Sequence, residues 1–279
     1  MNGTGLNWRG IWTVVRKDLK VVFRSKMIVL PMIILPVILQ VLMPAGMGLA
    51  VVLGGDSFAS STSSDLNTML RAVPAPVLAR WQGLGPAEIF LMLALVYMFA
   101  PLYLIVPMMV SSVIAADSFV GERERKTLEA LLHTPLTDRE LLLSKMLSAW
   151  LAAVAIGLGA FVLYAIVVNA VAWPMMGRIF FPNWLWIILV FWVSPSVAGL
   201  GLAATVLIST RVNTFQEAYQ MGGIVVLPVV ALVLGQAAGL IFLSDWLAVM
   251  LGLVVWALDA LLLWFGARTF DRDALLARL

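Results

Sequence analysis

Asp259 stands in the run WALDALLLW, where every neighbour is apolar. A carboxylate in such a place can relay a proton, meet a cation or tie two helices together. It lies about 12 Å from the end of its run at the α-helical rise. Leaving it unpaired near mid-membrane would cost roughly 2.5–3.5 kcal/mol, so it must face protein or water. Two readings stay open: a residue of a translocation path, or a structural hydrogen bond to a neighbouring helix. Gln40 and Gln236 pose the same question more weakly, with helix–helix hydrogen bonding as their plain explanation. The other unusual place is Ser118–Lys145, where eleven ionisable side chains crowd into 28 residues of a chain that is only 12% charged.

Several chemistries are excluded. The chain has no cysteine and a single histidine, His133, so neither a thiolate metal site nor a histidine cluster is available. No H-E-x-x-H or G-x-S-x-G occurs, and nothing supplies a nucleophile. GERERKT (Gly121–Thr127) superficially resembles a phosphate-binding loop, but it lacks the second glycine and its two glutamates would repel phosphate. No catalytic residue, bound metal or bound cofactor is expected in this chain.

These residues are carried by long apolar elements. The mean hydropathy is +1.02 and 62% of residues are hydrophobic, beyond the usual range of soluble domains. Six runs have bilayer-crossing length: Met27–Leu53, Ile89–Ala116, Met146–Ala172, Trp184–Ile208, Met221–Leu243 and Trp246–Ala267. The expected fold is an all-α polytopic membrane protein with six transmembrane helices over residues 27–267. Residues 1–26 form a terminus with an amphipathic interfacial helix, and 268–279 a tail. The basic residues fall 15 on one side, against Arg71, Arg80 and Arg178 on the other. By the positive-inside rule both termini and residues 118–145 are cytoplasmic in a multi-pass cell-membrane protein, plasma or bacterial inner. The net charge of +3 then reports topology and contact with anionic lipid rather than nucleic-acid binding.

Within residues 118–145 the spacing predicts two helices and a corner. Glu122 with Lys126 and Arg125 with Glu129 are i,i+4 pairs, and Leu128, Leu131 and Leu132 give one apolar edge. Pro135 disfavours a helical Thr134. Thr137-Asp138-Arg139-Glu140 is a capping box, with Leu136 and Leu141 as its hydrophobic staple. Such a corner can be a rigid docking knob or a solvated return; the capping and stapling favour docking. Thr214–Glu217 is a second capping box, which explains Glu217 as it stands.

Trp8, Ile11, Trp12, Val15, Leu19, Val22 and Phe23 form one helical stripe opposite five cations, which suits a helix in the headgroup plane. The pattern leaves open whether that helix only anchors the chain or also moves. Residues 55–88 read as an outer loop, flexible through the tract Ser57–Asp65 and then a short amphipathic piece. Leu227–Leu243 carries Pro228, Gly235, Gln236 and Gly239, and reads either as a re-entrant piece or as a kinked helix.

GERERKTLEALLHTPLTDRELLLSK resembles the signature of membrane subunits of type-2 ABC exporters, in Gly121, Glu122, Arg123, Glu124, Thr127, Leu128, Glu129, Leu131, Leu132, Thr134, Pro135 and Lys145. Lys126 departs from the glycine of many relatives. WTVVRKDLKVVFRSK is similar to the family's N-terminal connecting helix, STRVNTFQEAYQ to its fourth cytoplasmic connection and ARTFDRDALL to its C-terminus, so the likeness spans the chain. The resemblance implies a half-transporter: two six-span subunits, identical or different, working with two separate ABC ATPase subunits that bind ATP and Mg. The segment between the second and third spans would be the coupling helix, with Glu122, Arg123, Glu124, Arg125, Lys126, Thr127, Leu128, Glu129, Leu132 and Pro135 as the ATPase contact. Arg211 and Glu217 are candidates for a second contact. The family's short re-entrant helices favour that form of Leu227–Leu243.

The expected function is therefore outward translocation of a substrate (lipid-like, drug, peptide or ion) driven by ATP hydrolysis in another subunit. The alternative is an ion-coupled secondary transporter using Asp259, which would want more buried carboxylates than the sequence offers.

Overall fold

The computed structural model describes residues 6–61, 63–124 and 136–269. It is all-helical, and six helices are long and apolar enough to cross a membrane: α2 (Ile28–Gly55), α5 (Pro86–Gly121), α6 (Asp138–Met176), α7 (Trp184–Ser209), α8 (Phe215–Ala237) and α9 (Asp245–Thr269). This is a multi-pass membrane protein. α1 (Trp8–Arg24) precedes the spans, and α3 (Ser63–Ala72) and α4 (Ala75–Arg80) lie between α2 and α5. At 39 residues, α6 is about 58 Å long against a hydrocarbon core of about 30 Å. Its charged first turns lie at the end of the molecule that also carries α1 and the α7–α8 connection. We call this the charged face.

Proline sets the shape of the core. Wide i→i+5 turns at Ile38–Leu42, Leu93–Met98 and Leu189–Val193 each end two or three residues before a proline, Pro44, Pro101 and Pro195. A proline cannot donate to the carbonyl four residues back and its ring crowds it, so the preceding turn opens. Carbonyls freed in this way need donors inside a bilayer. The Tyr164 hydroxyl donates to the Leu95 carbonyl, Trp186 Nε1 to Val96 O at 2.7 Å, and Gln236 Nε2 to Tyr97 O at 3.3 Å. Trp186, fully buried, stacks on Tyr164 at 4.6 Å and meets Phe181 edge-on at 4.9 Å. Helices α6, α7 and α8 are thus pinned to the same stretch of α5.

Two expectations are corrected. The serine-rich tract is helical rather than loose: the chain turns at Gly55 (φ +51°), stays helical to Ser61 and continues into α3. Tertiary anchors override the loop-like composition there, since Phe58 packs edge-on against Phe90 at 5.4 Å and Leu66, Val73 and Trp81 are buried. Leu227–Leu243 holds no re-entrant helix. Residues 227–237 complete a continuous helix from Phe215, tightened at Gly223–Val226 ahead of Pro228. Residues 238–244 are a non-helical turn through Gly239 at φ +69°. A side chain at Gly239 would lie 2.7 Å from the Thr68 carbonyl of α3. The outer helices thus press on the turn where a re-entrant piece would begin.

Candidate functional site

The charged face is built on α1, the end of α5 and the start of α6. Residues 125–135, which include Arg125, Lys126, Thr127, Leu128, Glu129, Leu132 and Pro135, lie outside the described residues. The backbone is helical through Glu124, and α6 starts just after Thr137 as its capping box requires. Glu140 Oε2 accepts from Thr137 N at 2.8 Å, and Glu140 N donates to Thr137 Oγ1 at 3.4 Å. Its other oxygen accepts from the Asn7 backbone N–H at 2.6 Å, while Asn7 Oδ1 caps α1 at Gly10 N. One carboxylate therefore organises the starts of two helices, and α1 is fixed to α6. Leu136 closes against Gly10, where an added Cβ would sit 2.6 Å from Leu136 Cδ2.

α1 buries Ile11, Val14, Val15, Asp18 and Val22, while Trp8, Trp12 and Phe23 stay exposed. The amphipathic stripe is thus divided. Part of it packs on protein, and its aromatic edge is left for lipid headgroups, as expected of an interfacial helix. Arg16 lies 5.9 Å over the Trp12 ring, shielding one side of it.

Buried Asp18 and Lys145 and half-buried Glu122 form a charge cluster at this junction, with the exposed Lys17 Nζ 3.7 Å from Asp18 Oδ1. Lys145 is 3% exposed; its Nζ donates to Ser118 O at 2.9 Å and pairs with Glu122 Oε2. It also lies 5.9 Å from the Phe119 ring centroid. Asp18 is 4% exposed, and its Oδ2 has no hydrogen-bond partner. Burial pushes its carboxyl above the ordinary 3.8, Lys145 opposes that shift, Glu122 adds to it and Lys17 opposes it. Between 3.8 and the raised folded value the folded state holds more protons than the unfolded chain, so rising pH through that window removes stability. Asp18→Asn should therefore melt higher than the parent at mildly alkaline pH, with the gap closing as pH falls toward the ordinary carboxylate range. A melting-temperature difference that does not vary with pH would refute this.

The expected ATPase contacts divide. Glu122 is turned into its own chain by Lys145, and Glu124 Oε2 accepts from Phe215 N at 2.9 Å at the start of α8. Each carboxylate thus has a partner within its own chain, Glu122 half-buried and Glu124 at an exposed position. Glu217 is likewise engaged: Thr214 Oγ1 accepts from Glu217 N at 3.3 Å, and Glu217 Oε2 accepts from Asn213 N at 3.1 Å. Arg211 is exposed beside them.

The intramembrane polar residues do not converge. Gln236 donates its amide N–H to the carbonyl that Pro101 cannot serve, tying α8 to α5, while its Oε1 has no partner. Gln40 is fully buried in the wide turn of α2 and neither of its amide atoms is paired. Asp259 is 3% exposed and packed on α7, where a Cβ at Gly199 would lie 2.5 Å from its Oδ2. Neither of its oxygens is paired, nor is Trp256 Nε1 one turn away. Gly199, which has no side chain, gives the carboxyl its room. Among the described residues, no three of His, Cys, Asp and Glu are grouped as metal ligands would be.

Asp18 and the double role of Glu140 are not among the expected site residues. Asp18 had a signal: it is the only acid in Trp8–Arg24, three residues after Val15 and four before Val22, and so sits on the apolar stripe. The Asn7–Glu140 bond joins residues 133 apart and has no local signature.

The family model for ABC-2 family transporter proteins matches residues 12–251, from α1 into α9. No curated protein and no solved structure matches the chain. Permeases of this family generally pair with ABC ATPase subunits. With five apolar helices and the start of the sixth under that match, the chain belongs to the ABC-2 transporter family, as a membrane permease subunit.

Proposed function

We propose that this chain is one half of an exporter in which a separate ABC ATPase subunit, holding ATP and Mg, drives outward translocation of an apolar or amphipathic substrate. The observation that carries this is the bracing of the α5–α6 corner. Glu122 ties it to α6 through Lys145, and Glu124 ties it to the start of α8. A push on residues 125–135 is thereby delivered to three spans at once. The charged face is the cytoplasmic one, which agrees with the basic asymmetry of the sequence.

Two ATPase copies and two permease chains make the working unit. A second permease is supported by the apolar surface of α2 (Leu30, Ile33, Leu42, Leu49) and α8 (Met221, Ile224, Leu227, Leu234), all exposed in the single chain. With Glu122, Glu124 and Glu217 engaged internally, the contact falls to Arg123 and to residues 125–135, with Arg211 at its edge.

Purification of the tagged chain from its own cells in mild detergent, with mass spectrometry of stoichiometric companions, tests the reading. A P-loop ATPase should accompany the parent. Reversing Arg123 and Arg125 to Glu should cut its recovery at least about tenfold, since like charges brought together across an interface cost several kcal/mol. The amount of chain inserted in the membrane should not change. Undiminished recovery of the ATPase on the double variant would defeat the assignment of the contact.

A further inference from the structure

α1 divides into three arcs. At about 3.6 residues per turn, Ile11, Val14, Val15, Asp18 and Val22 fall on one side and are buried against the chain. Trp8, Trp12 and Phe23 fall on the next side and are exposed. Arg9, Arg16, Lys20 and Arg24 fall opposite the buried arc, and all four are exposed. Arg16 marks the border of the last two arcs, 5.9 Å over the Trp12 ring. Among the described residues none of these four cations has a carboxylate partner, whereas the neighbouring Lys17 meets Asp18 Oδ1 at 3.7 Å. Arg16 with Lys20 and Lys20 with Arg24 are i,i+4 pairs of like sign, which destabilise a helix. The row therefore adds nothing to the fold of α1, and it fits an anion from outside the chain.

The direction of the arc says which anion. The buried arc packs on the protein, and the Asn7–Glu140 bond fixes the start of α1 on α6. The cations opposite it point away from the helix bundle, over the ring of surrounding lipid. The aromatic arc sets their height, because tryptophan rings settle at headgroup level and bring adjacent cations within reach of lipid phosphates. The basic asymmetry of the sequence assigns this face to the cytoplasmic leaflet, where anionic lipid is concentrated.

We infer that the outward arc of α1 is a docking surface for anionic phospholipid, and that lipid held there steadies the first turn of α6. The second part follows from Glu140. Its carboxylate accepts from Asn7 N at 2.6 Å, at the start of α1, and from Thr137 N at 2.8 Å, at the start of α6. A lipid surface that holds α1 in the headgroup plane thereby holds the point where α6 leaves the corner. The inference goes beyond the transport reading and stands without it.

The test uses the full chain in nanodiscs of phosphatidylcholine and phosphatidylglycerol, with a trace of spin-labelled lipid of either headgroup. The parent should immobilise the labelled phosphatidylglycerol at least about threefold in preference to the phosphatidylcholine. Raised salt should erode that preference, since exposed charges are screened beyond about 10 Å already at 0.1 M. Replacing Arg9, Arg16, Lys20 and Arg24 with Gln should cut it at least about twofold. Replacing the three arginines with Lys should preserve it, because the charge is kept. A second readout places a spin label at Arg139→Cys, exposed on the first turn of α6 in a chain without native cysteine. That label should be less mobile in anionic nanodiscs than in pure phosphatidylcholine, and the Gln variant should lose the difference.

A parent without lipid preference, or with one that salt leaves intact, overturns the docking surface, and neither result needs a variant. A Gln variant that inserts and keeps the full preference overturns it too. One that keeps its lipid preference but loses a co-purifying ATPase would give the arc to a protein partner instead. A label at Arg139→Cys that ignores lipid composition overturns the link to α6.

Discussion

Replacing Lys145 with Met should lower the stability of the purified chain by about 3–5 kcal/mol, the usual cost of breaking a buried ion pair from one side. Methionine matches the length of the lysine stem and keeps its packing, so the loss is electrostatic. Glu122 would be left without its ammonium, the Ser118 carbonyl without its donor at 2.9 Å, and Asp18 without the buried positive charge of Lys145. Thermal unfolding in detergent should show the drop. The diagnostic companion is the triple variant Asp18→Asn, Glu122→Gln, Lys145→Met, which removes all three charges and should recover most of the lost stability. A triple variant as unstable as Lys145→Met would mean that the methionine damages packing, and that the cluster is not the source of the cost.

The sequence and the structure agree best where the signal is local and repetitive. The six spans follow from hydropathy, though the fifth lies six residues earlier than its apolar run; α1 follows from its stripe, and the starts of α6 and α8 from two capping boxes, because each depends on residues within one or two turns. The serine-rich tract misled because Phe58 and Leu66 are held by partners far along the chain, and composition alone cannot weigh such contacts. Leu227–Leu243 carried helix breakers compatible with two shapes. The choice between them lies in α3 pressing on Gly239, a contact between residues 171 positions apart. The charge cluster was illegible for the same reason. Glu122 reads as any exposed residue of the charged run, and only the arrival of Lys145 from the next span turns it inward. Resemblance supplied the family. It did not supply the inward role of Glu122, since a motif marks positions without saying which way each side chain is spent.

The glycine of the spans that lies against another helix's backbone should be the least tolerant of added volume. A Cβ at Gly201 of α7 would lie 2.6 Å from the Met108 carbonyl of α5, 2.7 Å from Ser111 Oγ and 2.9 Å from Ser112 Oγ. The serine hydroxyls can rotate, but the backbone carbonyl cannot, so even Gly201→Ala has to push α5 and α7 apart. Lipid offers no hydrophobic force to drive them back, and association there rests on close packing of small residues. Overpacking of this kind costs about 1–3 kcal/mol for a methyl group and more for a branched side chain. Gly201→Ala should therefore lower the melting temperature, and Gly201→Val should sharply reduce the folded yield. The damage would reach the function as well. Gly222 at the start of α8 sits over the same spot, 3.3 Å from Thr205 Oγ1 and 3.7 Å from Ser112 Cβ for an added Cβ, so displacing α7 also frees α8 from the corner that Glu124 caps. Gly159→Ala is the control, because nothing lies within 4 Å of its added Cβ. Removing a glycine from an exposed helix position there should gain up to about 1 kcal/mol. Equal losses at the two positions would show that glycine matters in these helices for backbone freedom; the expected opposite signs would show that it matters at Gly201 for the space between α5 and α7.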